Sequence, residues 1–180
     1  MNIRGIYISL RRMMPSEERR NADKIISDTV IGGPQWQKAE TVCLYMSMPD
    51  EVDTKPLLAA ALNAEKAVVF PRVEGKTLVL QRVASIKDFT RGTYHILEPK
   101  KSCKISSPDM VDLFIVPGVA FDRNANRLGR GNGYYDRLLA GNRAVKIGLA
   151  YETQVIAELA VTSYDVPMTM VVTEEEIYAS

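Results

Sequence analysis

Asp112-Leu113-Phe114-Ile115-Val116-Pro117-Gly118, followed after a short link by Arg127-Leu128-Gly129-Arg130-Gly131-Asn132-Gly133-Tyr134-Tyr135-Asp136, is the stretch on which the fold turns. The first segment is a short apolar run ended by Pro-Gly, the pattern of a strand buried on both faces. The last residues open a helical pattern with Tyr135, Leu138 and Leu139 on one side. Between them, glycine at every second position lets backbone N–H groups turn inward with no Cβ in the way, and the arginines add fixed charge and forked donors. Strand, glycine loop and helix in that order form a site where anions bind. The same glycines could merely make turns. Their spacing is neither that of the Walker loop, which ends in Gly-Lys-Ser/Thr, nor Gly-x-Gly-x-x-Gly. The expectation is a triphosphate cradle of another kind.

Towards the N-terminus, Ile3 to Met14 mixes apolar residues with Arg4, Arg11 and Arg12 at helical spacing, and Pro15 closes it. Ser16-Glu17-Glu18 starts a second helix with Ala22, Ile25, Ile26 and Val30 as its buried stripe, stopped by Gly32-Gly33. Two helices thus precede a first strand, Thr41 to Met46. Asp53 or Thr54 caps a helix carrying Leu57, Leu58, Ala61 and Leu62. Ala67 to Phe70 reads as a strand ended by Pro71, and Thr77 to Val83, alternating and partly polar, as one near a sheet edge. Ser85 to Asp109 is the least periodic part and reads as irregular surface connection. After the glycine loop come a strand Val145 to Leu149, a helix near Thr153 to Leu159, and a last strand Met170 to Val172. Alternation of this kind predicts a three-layer α/β/α, Rossmann-like fold with a mostly parallel central sheet, its ligands lying outside the carboxyl ends of the strands.

With 180 residues, 46% of them apolar, the chain suffices for one substantial core, and a single domain over 1–180 is expected. A net charge of +1 gives no global field for nucleic acid or an anionic membrane. Cys43 and Cys103 have no metal-ligand or disulfide spacing, and the single histidine, His95, has no triad around it. No apolar leader or membrane-length run is visible, so the expected setting is the cytoplasm, with small-molecule partners and a monomer.

Other residues sit where chemistry is expected. Tyr45 to Thr54 follows the first strand at the mouth of the ligand crevice. There Tyr45, Met46 and Met48 suit a flat organic ligand, and Glu51 suits hydrogen bonds from its N–H groups, whereas Asp53 reads as a helix cap. Asp136 is either a Mg²⁺ ligand beside phosphate or a first-turn acid favoured by the helix dipole. On local grounds Arg4 is a solvated helix charge, Asp165 a turn residue, and Lys100, Lys101 and Lys104 solvated surface.

Taken together these segments resemble the 5-formyltetrahydrofolate cyclo-ligase family, also called methenyltetrahydrofolate synthetase. The resemblance is carried by Val116 to Asp122 and Asn126 to Arg137, with further matches at Pro15-Ser16-Glu17-Glu18-Arg19, Glu51-Val52-Asp53-Thr54, Ile96-Leu97-Glu98-Pro99 and Asp165-Val166-Pro167. It implies an ATP- and Mg²⁺-dependent closure of 5-formyltetrahydrofolate to 5,10-methenyltetrahydrofolate, with release of ADP and phosphate. By matching positions it assigns Arg4, Arg127, Leu128, Gly129, Arg130, Gly131, Asn132, Gly133, Tyr134 and Tyr135 to the nucleotide. Tyr45, Met46, Glu51 and the 130–134 segment go to the folate, Asp136 and Asp165 to Mg²⁺, and Arg127, Arg130 and Tyr134 to the catalytic set. Arg4 matches the arginine of a Lys-x-x-x-Arg element whose lysine would fall one position before Met1, and Thr169 stands where the family often has an acid.

Two other readings compete. A sugar-phosphate isomerase or transferase would need only the phosphate loop, but it also needs an acid or base over the sugar carbon, for which no candidate stands out. A non-catalytic nucleotide- or folate-binding protein would use the same pocket without turnover.

Overall fold

The computed structural model describes residues 3–92 and 97–179. His95 lies outside them. Among the described residues an eight-stranded sheet runs through the centre, in the order β13-β12-β10-β7-β1-β2-β3-β6. Its five inner strands are β12 (Met170–Val172), β10 (Val145–Leu149), β7 (Leu113–Pro117), β1 (Thr41–Cys43) and β2 (Ala67–Glu74), all parallel. Antiparallel strands close both sides: β13 (Ile177–Ala179) on one, β3 (Thr77–Val83) and β6 (Ile105–Ser106) on the other.

β7 shows why the sheet lies inside. Leu113 and Ile115 join one buried cluster, with Ile26, Val30, Trp36, Leu57 and Leu58, while Phe114 and Val116 join another, with Phe121, Leu139 and Met168. Alternate residues of one strand thus serve two cores, and a sheet covered on both faces leaves no place for a polar residue in that run. The first face carries α2 (Ser16–Gly32), α3 (Pro34–Lys38) and α4 (Lys55–Asn63). The second carries α5 (Tyr134–Leu139) and a small sheet of β8 (Ala120–Asp122), β9 (Arg127–Leu128) and β11 (Val155–Ile156). α1 (Ile3–Met13) packs near the 3-10 turn at Glu152–Gln154. None of these helices is long and apolar enough to cross a membrane.

The mostly parallel α/β expectation holds; several element bounds differ. Three helices, not two, precede β1, because Pro34 opens a further turn that buries Trp36. β1 ends at Cys43, although the buried chain continues through Tyr45. β2 runs through Pro71 to Glu74: past Val69 it has no β1 neighbour, so a residue without an N–H is tolerated there, and Pro71 sits opposite Leu80 of β3. The region expected to be irregular holds β4 (Phe89–Arg91), β5 (Leu97–Pro99) and β6. The helix expected near Thr153 to Leu159 is instead a 3-10 turn and β11. Gln154 turns inward to donate to the carbonyls of Gly118 and Val119, Val155 and Ile156 pair with β8, and Asp122 accepts the Leu159 N–H. Met170–Val172 is not the last strand, since Thr173 accepts N–H bonds from Glu175 and Glu176 and turns the chain back into β13.

Candidate active site

A cavity of about 480 Å³ opens at the carboxyl edge of the sheet, from the β2–β3 hairpin past the ends of β1 and β7 to the connection before β12. Every residue that the resemblance assigned to a ligand lines it: Arg4, Tyr45, Met46, Glu51, the whole run Arg127 to Asp136, and Asp165. Topology makes this meeting possible, because loops at the carboxyl ends of neighbouring parallel strands face one crevice.

The glycine loop forms one wall. Gly131 has φ +101° and Gly133 φ +64°, backbone that an L side chain resists. A Cβ on Gly129 would lie 2.7 Å from Arg127 Nη1, and one on Gly133 would lie 2.8 Å from Arg137 Nη1. The glycines therefore keep room for both guanidinium groups as well as for a ligand. Gly133 caps α5, and Tyr134, Tyr135 and Asp136 form its first turn.

The arginines are held in place. Arg127 is nearly buried, its Nη2 donating to Asp136 Oδ1 at 2.8 Å and its guanidinium lying 5.6 Å from the centre of the Tyr135 ring. Arg4 Nε donates to the carbonyl of Gly129 at 2.9 Å, so the helix charge read locally as solvated faces the cradle. Arg130 crosses the cavity, Nη2 donating to Glu51 Oε1 at 3.1 Å, and joins the glycine loop to the segment after β1. Tyr134 donates its hydroxyl to Gly75 at the tip of the β2–β3 hairpin.

Both acids expected at a metal face the cavity. Asp136 uses Oδ1 on Arg127. Asp165 Oδ2 accepts from the N–H and hydroxyl of Thr162 at 2.7 and 2.8 Å, and these bonds, helped by Arg127 and Arg4, hold its carboxyl below its ordinary value. Among the described residues no three metal-ligating side chains gather, here or elsewhere.

In the facing segment, Glu51 Oε2 accepts the Met48 N–H while its own carbonyl accepts from Tyr151. Tyr45 is buried, with its hydroxyl donating to the carbonyl of Val52. Burial, then Glu51, pushes that phenol well above its ordinary value, so it is a fixed wall rather than a base. The N-cap of α4 is Thr54 rather than Asp53, whose carboxylate, one position earlier, accepts the Lys55 N–H.

Sequence reasoning overlooked Arg11, which is 1% exposed. It donates to Asp50 Oδ2 at 2.7 Å and to the carbonyl of Gly118 at 3.2 Å, and lies 3.9 Å from Glu51 Oε1. One signal was present: Arg4 and Arg11 are two helical turns apart, hence on one face. Glu98, buried and facing the cavity, was noted only as part of a match.

A covered parallel sheet whose carboxyl edge joins a glycine cradle, fixed arginines and paired acids to an apolar pocket defines an α/β enzyme for small anionic substrates. The chain belongs to the 5-formyltetrahydrofolate cyclo-ligase family, whose model matches residues 1–174, and is a ligase. It is 32% identical over 194 residues to the mitochondrial 5-formyltetrahydrofolate cyclo-ligase of Arabidopsis thaliana, covering 92% of this chain and 70% of that protein. The Escherichia coli K12 5-formyltetrahydrofolate cyclo-ligase is 29% identical, with 93% and 96% covered. The solved 5,10-methenyltetrahydrofolate synthetase of Aquifex aeolicus superposes with a TM-score of 0.88 at 36% identity, over 98% of this chain and 90% of that one.

Proposed function

We propose that this cavity closes 5-formyltetrahydrofolate to 5,10-methenyltetrahydrofolate at the expense of ATP. The observation that carries the reading is the joining, in one cavity, of an anion cradle with fixed arginines to an organic-ligand wall of Tyr45, Met46 and Glu51. The formyl oxygen of an amide is a poor leaving group, and transfer of the γ-phosphoryl group to it releases ADP. The N-10 amine then attacks the activated carbon, and phosphate departs with that oxygen. Such a reaction asks the protein for alignment and charge neutralisation more than for a general base.

The residues are suited to that task. Backbone N–H groups of Gly129 to Gly133 would cradle the phosphates, with Leu128 and Asn132 shaping the loop and Arg4 and Arg127 supplying charge. Arg130 and Tyr134 stand where nucleotide and folate meet. The donor set also fits Mg²⁺, which takes one or two carboxylates together with substrate phosphates. Asp136 and Asp165 would hold it, and it would neutralise charge on the transferred group.

The test is to mix purified protein with 5-formyltetrahydrofolate, Mg²⁺ and ATP and follow the methenyl absorbance. An ATP-dependent rise is expected. Binding of both compounds with no rise would leave a binding protein.

A further inference from the structure

The β2–β3 hairpin turns in two residues, Gly75 and Lys76, between the paired Glu74 and Thr77. Gly75 supplies the positive φ, +58°, that a tight hairpin needs at its first central position. The outer half of the hairpin, residues 72–74 and 77–79, lies past the last partners of β2 on β1 and of β3 on β6. Val73 and Leu78 in that half line the cavity. A two-stranded ribbon is marginal in water by itself, so the bonds on its flank and tip decide where it lies. On the flank, Arg72 Nη1 donates to the carbonyl of Pro99 at 2.6 Å.

The tip is held from α5. Arg137 Nε and Nη2 both donate to the carbonyl of Lys76, at 3.1 and 2.6 Å, and Nη2 also donates to the carbonyl of Asn132 at 2.9 Å. Its guanidinium lies 5.5 Å from the centre of the Tyr134 ring, whose hydroxyl donates to Gly75. One side chain thus fastens the turn, the glycine loop and Tyr134 together, a task for a planar fork rather than a single ammonium. The fastening joins two sides of the cavity, Asn132 and Tyr134 on the cradle and Val73 and Leu78 on the hairpin.

We propose that Arg137 is a positioning residue for the folate: it clasps the hairpin tip to the glycine loop, so that the apolar wall of the organic end is in place before the ligand arrives. This rests on the folate reading above. Without the clasp the ligand must seat the hairpin as it binds, and its apparent affinity falls by the fraction of molecules in which the hairpin is already seated. Chemistry in the filled site is unchanged, so the effect falls on KM and not on kcat.

Arg137→Met keeps an apolar stem beside Tyr134 and removes every donor, and steady-state kinetics together with trypsin cleavage after Lys76, followed by mass spectrometry, test it. The KM for 5-formyltetrahydrofolate is expected to rise at least about fivefold, with kcat and the KM for ATP within about twofold of wild type. Cleavage after Lys76 should be at least about fivefold faster without ligands and slow again in saturating folate, since a protease cuts a turn that opens locally. Arg137→Lys should fall between. A folate KM within twofold of wild type, or unchanged cleavage at Lys76, would overturn the proposal. So would a rise in the KM for ATP with that for folate untouched, which would make Arg137 a phosphate ligand. If melting shows the variant to be unfolded, wild type decides alone: saturating folate should protect Lys76 from trypsin, and cleavage indifferent to folate would overturn the clasp. Wild type that neither turns over folate nor is protected by it would end the function and this proposal together, whereas turnover by wild type with an indifferent Arg137→Met would end this one only.

Discussion

Arg127 is the residue on which the site is organised. A loop arginine near phosphate ordinarily contributes little to a core, but the burial of Arg127, its bond to Asp136 and its place over Tyr135 make it part of the fold as well. Arg127→Ala leaves Asp136 without its cation, and we expect a loss of about 1–3 kcal/mol in urea unfolding. The same change should lower kcat/KM for ATP by roughly 10²-fold or more, as removal of one charge-stabilising donor does. Arg127→Lys keeps the charge without the fork and should fall between. Gly131 is governed by backbone alone: with φ at +101°, valine there is strained, and Gly131→Val should cost about 1–3 kcal/mol in thermal or urea unfolding. Its branched side chain would also fill the cradle, so nucleotide affinity should drop further than stability.

At the scale of elements, α1 does more than cover the sheet. Arg4 reaches the glycine loop, and Arg11 ties the loop after β7, through Gly118, to Asp50 beside Glu51. Arg11→Met removes the closer of the two cations of Asp50 and leaves it to the more exposed Arg12, 3.4 Å away, for an expected loss of about 1.5–3 kcal/mol. The double variant with Asp50→Asn should recover a good part of it in the same urea titration. The strands and helices of the parallel core were legible because their apolar runs have the right length and period, as β7 and α2 show. Local signals failed where a distant partner captured the chain. Val155-Ile156 became a strand because β8 was there to pair with it, and Pro71 lay inside a strand because β2 had already lost its neighbour. Arg11 was missed because no local feature of a helix distinguishes an inward arginine until its carboxylate, 39 residues away, is in place. Of the residues lining the cavity, Tyr45, Met46, Glu51 and the glycine loop were legible locally because they follow strands, where topology brings them together, whereas Arg4 on α1 and Asp165 were pointed to only by the resemblance.

For the whole molecule, buried carboxylates link the fold to pH. Burial raises the carboxyl of Asp122, but bonds from the Asn126 side chain and from the N–H groups of Leu159, Asn126 and Asn124 outweigh it, leaving the group below its ordinary value of 3.8. Asp50 is lowered likewise, with burial opposed by Arg11, and Asp165 is lowered by Thr162. A lowered carboxyl contributes stability that is present above the unfolded value and lost as pH falls through the folded one. Asp23 and Glu174, raised by burial, have the opposite sign and are relieved as they protonate first. Unfolding free energy measured by urea titration should therefore hold as pH falls towards 3.8 and decline below it. Asp122→Asn, which sets an NH₂ against two donors, should lower the plateau by about 2–4 kcal/mol and flatten the acid fall.

The central claim is that the backbone between Gly129 and Gly133, with Arg4 and Arg127 beside it, grips the transferable phosphates. A crystal structure with a non-hydrolysable ATP analogue and Mg²⁺ tests it most directly. The phosphates should lie against that loop with the cation between them and Asp136 and Asp165; an analogue bound elsewhere, with the loop empty, would contradict the account.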